Sequence, residues 1–304
     1  MRRYTTLAAV LCLVLTAGAD DALDALARHR ESLGVDALWE SVESIRYSGT
    51  IASGGMEGTT DILVVLPAEK PIPRPDGGYD AGGFVGGIHY RSEISLGPLR
   101  ELVLITPAGG WVANPAGGVR ELDGIELADY TASMVFDSFL YLFPDPAFFS
   151  VTWAGREEVE GFLCDVLEFG PVAGGLPFHP RRYYLDSSDG SLRRITSELS
   201  VVLHETDCSE HRDFSGLRLP SRFRTVLYGL PLVIDQTLTE VVLDGPVDPA
   251  LLLPPAAERL TFPAEGLVQV QVELVGGGVF VPIRVNGEPV WMILDTGATM
   301  SVLS

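Results

Sequence analysis

Hydrophobic positions change their period several times along this chain, and each change marks a different kind of element. In residues 20–46, Leu23, Leu26, Ala27 and Leu33, then Leu38, Trp39, Val42 and Ile45, recur near helical spacing. Gly34 separates them into two short helices, and Asp20-Asp21 supply first-turn anions. The polar side of this region is mixed and not basic, which suits a face turned to a core and not to a membrane. From Ile45 to about Val119 the pattern becomes β-rich, with strands expected at Ser44–Ile51, Thr59–Leu66, Gly87–Ile94, Leu102–Thr106 and Gly110–Val112. Pro71 to Gly87, rich in Pro and Gly, reads as a long loop, first as a plain flexible connection and second as a flap or lid.

Gly124 to Phe143 returns to a helical period and ends at Pro144. Its aromatics, Tyr130, Phe136, Phe139, Tyr141 and Phe143, wrap much of the circumference; such a helix is deeply buried or lines a cavity. Strands resume at Val151–Gly155, Val159–Phe169, Arg182–Asp186, Leu192–Leu203, Leu217–Tyr228 and Leu232–Leu243. Asp186-Ser187-Ser188-Asp189-Gly190 is a good hairpin turn. Consecutive antiparallel strands with two helical segments predict a mainly β, α+β domain over residues 20–245, one curved half-barrel folded over its helices. Five prolines between Gly245 and Gly266 predict a linker at 246–266.

Composition adds a compartment. The chain has 304 residues, 46% of them hydrophobic and 20% charged, so it can build real cores. Arg2-Arg3, an apolar run from Leu7 to Leu15 and Ala17-Gly18-Ala19 form a cleavable secretion signal over 1–19, too short to span a bilayer. Its removal leaves 19 basic side chains against 41 acidic ones, a net −22 that disfavours nucleic acid and anionic lipid heads. Cys164 and Cys208 remain, and in an oxidising compartment they are a disulfide candidate. Free thiols are the second reading, and a metal site from His204, Cys208 and His211 the third. The chain contains no Gly-x-Ser-x-Gly elbow, no His-Glu-x-x-His and no phosphate loop, so neither a metal nor a cofactor is expected.

The last stretch, Val279 to Ser304, holds two apolar runs around Asn286-Gly287, the strongest short hairpin signal. The second run leads into Asp295-Thr296-Gly297-Ala298. A carboxylate at a strand end, above a glycine turn, suits one half of an aspartic dyad, whose second half a two-fold partner would supply. MILDTGATMSVL, at Met292–Leu303, resembles the active-site signature of retropepsin-like aspartic peptidases, over about residues 267–304. That resemblance implies the first strands of an acid-protease-type β-barrel, with Asp295, Thr296 and Gly297 catalytic and Ala298 against a polypeptide substrate. It also implies an exported endopeptidase, homodimeric when complete, and inactive here because the chain ends nine residues after Asp295.

A second resemblance lies upstream. RRYYLDSSDGSLRRI, HRDFSGLRLPSRF and VDPALLLPP are similar to the LolA/LolB-type lipoprotein-carrier fold, across about residues 30–255. It implies a half-open barrel with helices plugging an apolar concavity. The alternative function is therefore a periplasmic carrier of lipid or another apolar ligand.

Overall fold

The computed structural model describes residues 21–37, 39–75, 78–97, 99–113, 118–199, 202–230, 232–256, 272–275, 278–285 and 288–293. The chain divides into two compact units, Met1–Glu258 and Arg259–Ser304.

The first unit is mainly β. Its strands are β1 (Ser44–Ser53), β2 (Met56–Val65), β3 (Ile72–Pro73), β4 (Tyr79–Asp80), β5 (His89–Leu96), β6 (Leu99–Thr106), β7 (Gly109–Ala113) and β8 (Val119–Glu121). After a helical interruption come β9 (Phe149–Val159), β10 (Phe162–Pro171), β11 (Arg181–Asp186), β12 (Leu192–Leu199), β13 (Val202–Phe214), β14 (Leu217–Tyr228) and β15 (Leu232–Leu243). All but β3 and β4 join one antiparallel sheet, ordered β8-β7-β6-β5-β2-β1-β15-β14-β13-β12-β11-β10-β9. Two meanders are thus stitched together where β1 pairs with β15, with Tyr47 opposite Val241. Register slips at Ser48/Gly49, Val166/Leu167 and Tyr184/Leu185 add bulges that bend and twist the strands, helping the sheet to curve.

The helices fill the concave side. Helix α1 covers residues 21–33, a short α2 covers Gly82–Val85, and α3 covers Gly124–Asp137. The buried face of α1 is Ala22, Ala25, Leu26, His29 and Leu33, and Gly34 ends the helix with φ at 76°. Leu26 and Leu33 of the expected face are buried, whereas Leu23 is half-buried and Ala27 exposed, with Ala22, Ala25 and His29 turned inward in their place. The second expected helix, around Leu38 to Ile45, is a 3-10 turn at Val35–Ala37 followed by β1. Helix α3 stops at Asp137, six residues before the expected end at Phe143. Phe139 takes a left-handed φ of 60°, and a 3-10 turn at Leu140–Leu142 follows. The expected loop at Pro71–Gly87 contains the β3–β4 ladder and α2, and it is docked: Ala81 N–H donates to Asp145 Oδ2 at 2.8 Å, and Phe84 packs on Trp39.

In the second unit, β16 (Glu273–Val275), β17 (Gly278–Val285) and β18 (Glu288–Ile293) form a three-stranded antiparallel sheet. Val285 pairs with Glu288, so the predicted hairpin across 286–287 is present. Nothing in this sheet singles out an acid-protease-type barrel, and that part of the expected fold is unsupported.

Candidate ligand-binding cavity

Between the helical layer and the concave face of the sheet lies a cavity of about 340 Å³, within the size range of small-molecule sites. Its floor is buried: Phe136 from α3, Tyr141 from the following turn, Tyr183 from β11 and Leu219 from β14. Its mouth is half-buried, formed by Ile62, Phe223 and Leu238 on β2, β14 and β15. The floor is held rigid by aromatic packing. Phe136, Tyr141 and Tyr183 lie with ring centroids 5.2–5.3 Å apart, and Phe169 closes the cluster edge-on. Thr206 and Thr225, opposite each other on β13 and β14, satisfy one another's hydroxyls at 2.9 Å and so present little unpaired polarity.

Two ionisable groups reach this apolar space. His29 uses both ring nitrogens: Nδ1 donates to the Gly190 carbonyl and Nε2 pairs with the Tyr141 hydroxyl, each at 2.8 Å. Burial lowers its pKa to about 4 against the Gly190 hydrogen bond, and nearby His211 adds to the fall. Asp137 ends α3. Tyr90 donates to its Oδ2 at 2.9 Å, and Tyr47 donates to its backbone carbonyl at 2.7 Å. Burial lifts the carboxyl to about 6, against the Tyr90 hydrogen bond and the charge of Arg181. Neither residue stood out in the sequence as a site. His29 was legible only as a polar residue on the apolar face of α1, and Asp137 only as an acid ending an apolar helix.

The residues singled out from the sequence fall elsewhere. Asp295, Thr296, Gly297 and Ala298, like residues 1–20, lie outside the described residues. Cys164 and Cys208 are free and buried, which corrects the disulfide expectation. They sit on β10 and β13 with β11 and β12 between them, about 14 Å by strand spacing, whereas a disulfide needs Cα atoms within about 7 Å. They also belong to different apolar clusters. His204, Cys208 and His211 lie along β13, not on a helix, and no metal-holding group occurs among the described residues.

No protein-family model matches the chain, and no curated protein gives a significant match. Solved structures are similar to it, three of them as follows. A DUF1329 family protein from Desulfovibrio piger shares 15% identity at a TM-score of 0.48, covering 79% of this chain and 98% of that one. A putative outer membrane lipoprotein-sorting protein domain from Vibrio parahaemolyticus shares 9% at 0.46, covering 76% and 95%. A LolA superfamily protein from Nitrosomonas europaea shares 11% at 0.43, covering 72% and 97%.

These findings correct the expected activity. None of the three structures is a peptidase, and no peptidase family model or curated peptidase matches the chain. The aspartic endopeptidase expected from Asp295 is therefore withdrawn, together with its polypeptide substrate and its homodimer. What the described structure offers instead is a curved antiparallel sheet around an apolar cavity.

Proposed function

We propose that this chain is a binding or carrier protein for a lipid or another apolar ligand, exported by a leader at residues 1–19. The observation that carries this reading is the cavity itself: about 340 Å³ of space with aromatic and aliphatic walls and a half-buried mouth. A core with no ligand to hold is packed to high density, and space of this size forfeits contacts along its lining. Its volume and lining match the general pattern of a small-molecule site, mostly apolar with few polar groups. The acidic balance of the chain fits an apolar ligand better than a nucleic acid.

The test is uptake of the neutral probe N-phenyl-1-naphthylamine by the purified chain, alongside mass spectrometry of its organic extract. Saturable fluorescence enhancement is expected, reduced at least severalfold by Leu238→Trp, which fills the mouth. A protein that yields no ligand and takes up no probe would overturn the reading.

A further inference from the structure

The lining of the cavity is mostly apolar, with His29, Gln236 and several threonines as neutral polar groups, and Asp137 is its one acid. Asp137 lies in its wall at the C-terminal end of α3, where the helix macrodipole is itself negative. No described Arg, Lys or His makes an ion pair with it, and no described residue donates to its Oδ1. Tyr90 uses only Oδ2, at 2.9 Å. Arg181, the nearest cation to influence it, is engaged elsewhere: its Nη2 donates to Ser133 Oγ at 3.2 Å, and its guanidinium lies 4.8 Å from the Phe136 ring centroid. The rings of Phe136, Phe139, Tyr47 and Tyr183 line the same space. A carboxylate oxygen without a protein donor, set among aromatic rings in a poorly solvated pocket, is a receptor for a cation with N–H donors. It disfavours a second anion in the same place, because a half-buried charge is only partly screened by solvent.

We propose that this cavity selects amphiphiles with an ammonium head, seated against Asp137 Oδ1 and the surrounding rings, over amphiphiles with an anionic head. This rests on the reading of the cavity as a ligand site and adds the chemistry of the head group. The ligand's apolar body occupies the Phe223–Leu238 side, and its head faces the end of α3. The site thereby discriminates by charge where the walls alone discriminate only by size.

The test displaces bound N-phenyl-1-naphthylamine from the full chain, near neutral pH, with dodecylamine, dodecanol and dodecanoate below their micellar concentrations. The three share one apolar body and differ only in the head. Dodecylamine is expected to displace at a concentration about tenfold or more below dodecanoate, with dodecanol between, the size of one charge-assisted hydrogen bond. In Asp137→Asn the amine should lose its advantage over the alcohol while dodecanol itself displaces as before. Equal or tighter binding of dodecanoate, or an amine preference that survives Asp137→Asn, overturns the proposal and leaves the ligand cavity standing. Failure of the probe and all three competitors to bind overturns the cavity reading as well. The comparison of three heads on the unaltered chain decides the matter even if the variant does not fold.

Discussion

His29 on α1 and Tyr141 on the turn after α3 are joined by a 2.8 Å hydrogen bond in the core, 112 residues apart in sequence. The other ring nitrogen of His29 holds the Gly190 carbonyl, so one imidazole ties the N-terminal helix to two distant elements. Both bonds suit a neutral ring, and burial keeps it neutral down to about pH 4, against 6.5 for the free side chain. The unfolded chain therefore takes up the proton first. Stability from this group is complete above pH 6.5 and is lost as pH falls toward 4, on the order of 3 kcal/mol. His29→Gln should lower stability near neutrality and flatten this acid loss; urea midpoints measured against pH would show it.

Asp137 acts in the opposite sense across nearly the same window. Its folded pKa of about 6 exceeds the ordinary 3.8, so the folded chain takes up the proton first, and stability is gained as pH falls from 6 toward 3.8. The groups facing it do not titrate there. Tyr47, Tyr90, Tyr141 and Tyr183 are all pushed further up by burial. Asp137→Asn should therefore steepen the acid loss that His29 causes. In His29→Gln, with its counterweight gone, stability should rise on acidification from pH 6 to 4. Two variants whose profiles both track the parent would refute this opposition.

Gly190 is fixed by space as well as by its φ of 74°. A Cβ there would meet the Arg28 carbonyl oxygen at 2.6 Å and the His29 nitrogen at 2.9 Å, both backbone atoms of α1 that no rotamer change can move. Gly190→Ala should cost about 1–3 kcal/mol and loosen α1 first. Hydrogen exchange that rises in α1 before the sheet strands would confirm the order; uniform loss would not.

The sheet and the α3 region were legible because apolar alternation and turn residues lie along the chain. What escaped the sequence depends on neighbours across it. β13 runs through HETDCSEHRDF, where no strand was expected and one strand was expected to span Leu192–Leu203; charges on both sides of Thr206 hide its alternation. In the sheet, Arg194, Asp207, Arg224 and Asp235 stand opposite one another in register across four strands, so each charge meets its opposite. That row is invisible along any one strand. The turn between β9 and β10 falls at Glu160-Gly161, whose φ values of 50° and 84° suit a two-residue hairpin, so Val159, the expected start of a strand, is the last residue of β9. The cavity escaped for the same reason: its lining comes from ten separated elements, and its imidazole and its carboxyl look ordinary in their own segments.

Cys164 and Cys208 should behave as inert structural thiols. Burial pushes the Cys164 thiol up to about 11 and Cys208 further, so almost no thiolate is present at neutral pH. Both should resist a thiol reagent in the native protein and react after unfolding in urea. Reductant should leave the melting temperature unchanged. A fall in melting temperature on reduction would show that a bridge had formed after all.

Asp165 is the last point where α1 is fastened to the sheet, and the most exposed to test. Its buried carboxylate, on β10, accepts from Arg28 of α1 at 2.6 Å through Oδ2 and from Arg156 of β9 at 2.8 Å through Oδ1. Burial alone would raise its pKa, yet Arg156, Trp153 and Arg28 together hold it below the usual carboxylate range. A depressed carboxylate gives stability that is present above its unfolded pKa and lost as pH falls through the folded one, so this clamp holds throughout the window where His29 and Asp137 titrate. Both arginines are about half exposed, which limits what each pair contributes, but the acid itself is not. Asp165→Ala should therefore cost about 2–3 kcal/mol, mostly from stranding Arg28 and Arg156 without their acceptor. Arg156→Ala alone should cost less than half of that, because Arg28 still satisfies the acid. If the two variants lose equal stability, the clamp is a single pair and α1 is held by its apolar face and His29.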